Sequence, residues 1–194
     1  MQPKPRAQSP YTATIPSADG RIQNMTPPID TALWREAMGG FLTGVTVVTT
    51  LSGGKIAGTA VNAFSALSQD PPLLLVCLDR SSRSLEAIRS SGFFAVNILS
   101  ETHMEVVRRF SSKSADDRFR DVPYTSEATG APVLTGSVAW FDCSVHAIHE
   151  GGDHEIVVGR VLRLGSDNAA TPLAYHRGNI WCLPAREIVP EGRS

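Results

Sequence analysis

No stretch of this 194-residue chain comes near the roughly 18 consecutive apolar residues that a membrane span needs. The first residues lack the apolar core of a secretory leader. An excess of one charge is also missing: 18 Lys and Arg face 19 Asp and Glu, for a formal net charge of −1. That balance supplies no electrostatic pull toward nucleic acid or an anionic membrane. Cysteine is scarce, with Cys77, Cys143 and Cys182 forming no CxxC pair. Each lies among apolar or β-prone neighbours and reads as a buried thiol of a soluble protein in a reducing cytoplasm. The common nucleotide motifs are absent too. No G-x-G-x-x-G follows a strand, and "SGGKI" has Thr49 where a P-loop needs glycine and Ile56 where it needs Ser or Thr. What is present is ordinary: 42% hydrophobic and 19% charged residues, enough for one domain with a real core.

Residues 1–28 are rich in Pro, Ser, Thr and Gln, show no period, and read as a flexible N-terminal arm ahead of a domain over 29–190. Asp30 or Thr31 then caps a helix that places Leu33, Trp34, Ala37, Met38 and Phe41 on one face. After Gly44 the texture turns β-branched. "VTVVTTL", the turn "SGGK" and "IAGTAVNAF" predict a hairpin, and "PPLLLVCL" (71–78) predicts a buried strand. "SSRSLEAIRSSG" (81–92) predicts a short helix capped by Ser81 or Ser82, with Leu85 and Ile88 inward. "FFAVNIL" predicts a strand, 101–110 a second short helix, and "SSKSADDRFRDVPYTSEATGAP" a loop. Long strands at about 137–149 and 155–164, joined at Gly151-Gly152-Asp153, and a last strand–turn–strand "LAYHRGNIWCLP" follow. Many antiparallel strands with a few short helices point to a β-barrel with covering helices.

Three features carry possible chemistry. Asp142, Cys143, His146, His149 and His154 crowd together, but strand alternation sets Cys143 and His149 on one face and His146 on the other, so no metal site is expected. "LDRSSRSLEAI" puts Ser81, Ser82 and Arg83 where a strand hands over to a helix; hydroxyls, helix N–H groups and a guanidinium there suit a phosphate, or simply cap the helix. "AGTAVNAF" has little side-chain bulk between Gly58 and Ala63, with Thr59 and Asn62 as polar groups. Such a strand suits close approach of a flat ligand, or packing beneath another element.

In order, "FLTGVTVVTT", "GTAVNAFSALSQDPPLLLVCL", "SSRSLEAI", "FFAVNIL", "DDRFRDV", "GGDHEIVVGRV" and "LAYHRGNI" carry a resemblance over about residues 30–183. The chain resembles the flavin reductase components of two-component flavin-dependent monooxygenases. The resemblance implies a mainly β fold, a split β-barrel of Greek-key type with a few short covering helices, usually as a homodimer. It implies FMN or FAD reduced by NADH or NADPH, and a separate monooxygenase that receives the reduced flavin. Gly58, Thr59, Ala60, Val61, Asn62 and Ala63 would line the flavin ring and ribityl chain, with Thr46 nearby. Ser81, Ser82 and Arg83 would hold the phosphate, and Phe110 would lie against the flavin. His154, Tyr175, Arg177 and Gly178 would meet the nicotinamide nucleotide, with His154 as the positioning group of the catalytic step. Many relatives carry a bulky residue where this chain has Thr59, so the resemblance leaves FMN against FAD open.

Two other functions are compatible with the residues alone. One is a split-barrel flavoprotein that retains FMN and serves as an electron carrier or oxidase. The other is a non-enzymatic barrel whose phosphate-like site binds another anion. Hydride transfer between two stacked rings needs positioning more than side-chain chemistry, which accords with the absence of a nucleophile triad or paired carboxylates.

Overall fold

The β-branched run after Gly44 forms an antiparallel hairpin, and its turn residues Gly53 and Gly54 both take positive φ, as a tight two-residue connection requires. The computed structural model describes residues 29–112 and 117–183. The expected arm over 1–28 and the end of the expected domain, 184–190, lie outside the described residues.

Helix α1 (Thr31–Gly39) is capped by Asp30, whose carboxylate accepts the Ala32 N–H at 2.8 Å. Its apolar residues Leu33, Trp34 and Met38 are exposed. The following segment runs β1 (Thr43–Gly44), β2 (Thr46–Ser52), β3 (Lys55–Val61), β4 (Phe64–Gln69), β5 (Pro72–Asp79), α2 (Arg83–Ser91) and β6 (Phe93–Ile98). A 3₁₀ turn (Glu101–His103) leads into α3 (Met104–Ser111). Then come β7 (Tyr124–Ser126), β8 (Pro132–Leu134), β9 (Ala139–Gly151), β10 (His154–Ser166), β11 (Leu173–His176) and β12 (Asn179–Cys182). Among the described residues no helix is long and apolar enough to cross a membrane.

Seven strands form one antiparallel sheet in the order β3-β2-β6-β9-β10-β5-β4. Its two edges, β3 and β4, are consecutive in the chain and separated by Asn62 and Ala63 alone. A sheet whose opposite edges are joined by two residues has to curl until those edges meet. Because they meet without pairing to one another, the result is a split β-barrel. A small sheet β1-β11-β12 and the β7-β8 hairpin complete the fold.

β2 is buried on both faces, which is why its sequence reads as an unbroken β-branched run. Val48 faces a cluster with Leu78, Leu85, Ile88, Phe94, Val96, Cys143 and Val157. Val47 faces the opposite cluster with Leu99, Val107, Phe110, Leu134 and Leu173. Helix α2 therefore closes one side through Leu85 and Ile88, and α3 the other through Val107 and Phe110, each such burial worth about 1.5–3 kcal/mol. The threonines of β2 do not orphan their hydroxyls: Thr49 Oγ1 donates to Pro132 O at 2.5 Å and Thr50 Oγ1 to Phe93 O at 2.8 Å.

Three expectations need correction. A β-bulge at His146 shifts the β9–β10 register between Val158 and Gly159, so Cys143 and His149 lie on opposite faces rather than one. The expected loop after α3 contains the β7–β8 hairpin, whose three-residue strands are too short to leave a periodic signal. Of the three cysteines, Cys143 alone is buried; Cys77 is half-buried and Cys182 exposed, because neighbours that favour strand do not decide which face points inward. Burial, reinforced by the adjacent Asp142 carboxylate, pushes the Cys143 thiol up to about 12, so it is a packing group.

Candidate functional site

Three chain ends meet on one rim. The start of β10 pairs with the end of β5, His154 opposite Asp79. Arg80 N–H, leading out of β5, donates to Asp153 O at 3.1 Å. The β3–β4 connection joins the same rim through Cys77 N–H to Ala63 O at 3.0 Å. Between these ends lies a cavity of about 380 Å³. Its walls are Thr59–Ala63 from β3 and its turn, Cys77–Asp79 from β5, Ser81–Ser84 from the entry to α2, Phe110 and Ser111 from α3, and Arg118 and His154.

The structure thus brings together Thr59, Ala60, Val61, Asn62, Ala63, Ser81, Ser82, Arg83, Phe110 and His154 of the residues expected from sequence. A second, smaller space of about 160 Å³ adjoins it, sharing Ala60, Val61, Asn62 and Ser111 and adding Val45, Val107, Tyr175 and Ile180. Tyr175 belongs to that mostly apolar space. Arg177 and Gly178 form the β11–β12 turn with φ of 48° and 79°, and border neither. Thr46 is buried, and its hydroxyl donates to Val61 O at 2.8 Å; it fastens the end of β3 rather than lining the cavity.

Gly58 also lies off the cavity wall, and for a definite reason. A Cβ there would stand 2.8 Å from Phe110 Cε1, 3.1 Å from Phe119 Cζ and 3.2 Å from Val48 O. The missing side chain makes room for the Phe110–Phe119 edge-to-face pair, which in turn sets the wall of the cavity.

At the entry to α2, Ser82 occupies the N-cap position, but its side chain makes no capping bond. Both the Ser81 N–H and its hydroxyl donate to Asp79 Oδ1 at 2.7 Å. The helix N-terminus, the Ser82 hydroxyl and the Arg83 guanidinium thus stand together at the polar end. Arg118, to which the sequence motifs assign no role, lines the same cavity. It donates from Nη1 to Gly58 O at 2.7 Å and from Nη2 to Ser112 O at 2.5 Å. Burial, and then the like charge of Arg83, hold its guanidinium below the ordinary value. The segment "DDRFRDV" signals this residue only by its charges.

His154 stands at the edge of the cavity, next to the Gly151-Gly152 turn. Its Nδ1 lies 2.8 Å from Asp153 Oδ1, and its ring borders the cavity. That hydrogen bond holds the Asp153 carboxyl below its usual range. The next residue, Glu155, is buried, and its carboxylate accepts from Arg89 of α2 and lies 3.8 Å from Arg80. It therefore fixes α2 against β10 directly beside His154. Among the described residues no three His, Cys, Asp or Glu side chains gather as a metal site would require.

The wall carrying Phe110 depends on a buried histidine. His103 Nδ1 accepts the Ser100 N–H at 3.2 Å, and Nε2 lies 3.0 Å from Thr135 O, so the ring serves as the neutral tautomer with hydrogen on Nε2. Burial lowers its pKa from 6.5, against a smaller upward effect of the Thr135 carbonyl. With the folded value depressed, its stabilisation is complete above the unfolded value and lost as pH falls through the folded one. Thermal melts should therefore drop as pH falls below the ordinary histidine value of 6.5, and less steeply in His103→Gln; identical slopes would remove His103 from this role.

Comparison with known proteins gives a consistent result. The model of the flavin reductase like domain matches residues 38–181. The reductase subunit HsaB of a flavin-dependent monooxygenase from Rhodococcus jostii is 41% identical over 162 residues, 84% of this chain and 83% of that protein. The crystal structure of nitrilotriacetate monooxygenase component B from Mycobacterium thermoresistibile superposes with a TM-score of 0.78 at 39% identity, covering 84% of this chain and 92% of that one. The NADH:FAD oxidoreductase SgcE6 of Streptomyces globisporus, solved in complex with NAD and FAD fragments, superposes with a TM-score of 0.75 at 30% identity, covering 87% and 99%.

Proposed function

We propose, because the chain belongs to the flavin reductase like domain family, that its larger cavity receives a flavin nucleotide beside the nicotinamide nucleotide that reduces it. The protein is an NAD(P)H-dependent flavin oxidoreductase, the reductase component of a system whose monooxygenase is a separate protein. One observation carries the assignment of the cavity. The unbulky backbone Thr59–Ala63 and a cationic helix entry, Ser82 and Arg83, line one space of about 380 Å³, within the range of nucleotide-sized sites.

The residues fit the group. Ser82, Arg83 and the first N–H groups of α2 would hold the phosphate, Thr59 and Asn62 would meet the polar atoms of the ribityl chain and ring, and Phe110 would lie against the ring system. When bound, flavin supplies a hydride acceptor for the nicotinamide C4. This chain's part is then to bind, orient and keep the two rings close. His154 and Tyr175, one on each of the adjoining spaces, are assigned to the nicotinamide nucleotide.

The assignment of His154 is tested directly by His154→Ala. KM for NADH should rise or kcat fall several-fold, with flavin affinity near wild type and the change constant across neutral pH, because the role is geometric. Wild-type kinetics would leave His154 as a turn residue paired with Asp153. We further propose a homodimer, supported by Leu162, Leu164 and Trp181, large apolar side chains exposed on strands of one chain. Sedimentation of an active monomer would contradict it.

A further inference from the structure

Two carboxylates are buried among the described residues, Asp142 and Glu155. Asp142 serves a nearby loop, accepting the Thr129 N–H and hydroxyl. Glu155 instead meets two guanidiniums: it accepts from Arg89 Nη2 and lies 3.8 Å from Arg80 Nε. Arg80 precedes α2 and Arg89 stands in its last turn. A buried ion pair is a poor source of net stability, because taking a carboxylate out of water is costly. What it can add is a fixed placement of the elements that carry its charges.

Helix α2 has need of such a tie. Its apolar contacts through Leu85 and Ile88 hold it on the sheet, but they are non-directional and leave its slide and swing open. The approach to the helix is tied by the Arg80 N–H to Asp153 O at 3.1 Å. A helix held only there can pivot, and Arg89 lies about 9 Å along the axis from Arg83. The Glu155–Arg89 pair is the second tie. Glu155 also follows His154 directly in β10, so strand alternation sends the two side chains to opposite faces. His154 borders the cavity, and so does the first turn of α2.

We propose that Glu155, acting through Arg89, is a positioning residue for hydride transfer. It fixes α2 and His154 relative to each other, so that flavin and nicotinamide nucleotide meet at reacting distance. The hydride leaves nicotinamide C4 with both electrons, oxidising the nicotinamide and reducing the flavin. Glu155 neither gives nor takes a proton and does not line the cavity. The inference rests on the flavin reductase reading and adds a residue that touches neither ligand.

The test uses the full-length protein as wild type, Glu155→Gln, Arg89→Met, Arg89→Lys and the double variant Glu155→Gln/Arg89→Met. Both arginines are partly exposed, so water can take over when the carboxylate loses its charge. Without ligands, Glu155→Gln should speed amide hydrogen exchange in α2 by about tenfold and leave α3 unchanged. Anaerobic stopped-flow mixing of protein and FMN with NADH should show the limiting rate of flavin reduction falling about tenfold. Dissociation constants for FMN and NADH should each stay within about threefold of wild type. The double variant should be no slower than the slower single one, because the two side chains act as one unit. Arg89→Lys should recover part of the rate lost in Arg89→Met, because it keeps the charge. A wild-type reduction rate in folded Glu155→Gln, unchanged exchange in α2, or losses that multiply in the double variant would each overturn the inference. Should Glu155→Gln fail to fold, Arg89→Met against Arg89→Lys decides by the same rate and exchange readings. Folded wild type that leaves FMN unreduced would instead overturn the flavin reductase reading, and this inference with it.

Discussion

Changing Ser82 and Arg83 together to alanine is expected to raise KM for FMN by about tenfold to a hundredfold and to move that for riboflavin by less than about threefold. Ser82 sits at the N-cap position of α2 without a side-chain capping bond, and Arg83 is exposed at the cavity's polar end. Neither side chain is part of the buried core, so their loss should leave the fold intact and register in the ligand. A charge-assisted hydrogen bond to phosphate is worth about 1.5–3 kcal/mol, which is the expected factor. Ser81→Ala should have a smaller effect, because that hydroxyl already serves Asp79. Steady-state kinetics with the two flavins read the difference. A parallel rise for both would show that the entry to α2 does not meet the phosphate.

Gly58→Val should give the opposite signature. The first added carbon stands 2.8 Å from Phe110 and 3.1 Å from Phe119, and the backbone of Val48 blocks retreat at 3.2 Å. Phe110 is fully packed within the cluster closed by α3, so it cannot yield without moving that helix. Overpacking of this kind costs about 1–3 kcal/mol, or roughly 2–12 °C in Tm for a chain of this size. Because the cavity wall moves with Phe110, FMN and riboflavin should weaken together. Unchanged Tm and flavin binding would show that the wall yields freely. The two variants separate a residue that recognises one group of the ligand from a residue that shapes the whole site.

The contrast between these variants mirrors what could be read in the sequence. The β2–β3 and β9–β10 hairpins were legible because glycine turns and β-branched runs are local signals. Leu85 and Ile88 were legible as inward-facing because helical spacing fixes a face. The bulge at His146 was not, since an extra residue leaves composition and apparent alternation untouched while reversing every face beyond it. Small residues from Gly58 to Ala63 were noticed, yet Gly58 answers to Phe110 and Phe119, which lie far along the chain. Arg118 and Glu155 escaped for the same reason. Their partners, Gly58 and Ser112 for one, Arg80 and Arg89 for the other, are set by tertiary contact rather than by spacing. Arg177 and Gly178, expected at the nicotinamide nucleotide, form the β11–β12 turn with positive φ, a conformation that their neighbours in sequence do not announce.

The central claim, flavin reduction by a nicotinamide nucleotide in the cavity between β3, β5 and α2, is tested most directly by mixing purified protein with NADH or NADPH under anaerobic conditions. FMN, FAD and riboflavin are added in turn while nicotinamide and flavin absorbance are followed together. Nicotinamide oxidation should be negligible without flavin and should rise with added flavin, with matching loss of flavin colour and the phosphorylated flavins working at lower concentration than riboflavin. Unchanged absorbance with both nicotinamide nucleotides and all three flavins, in a sample shown to be folded, would contradict the account.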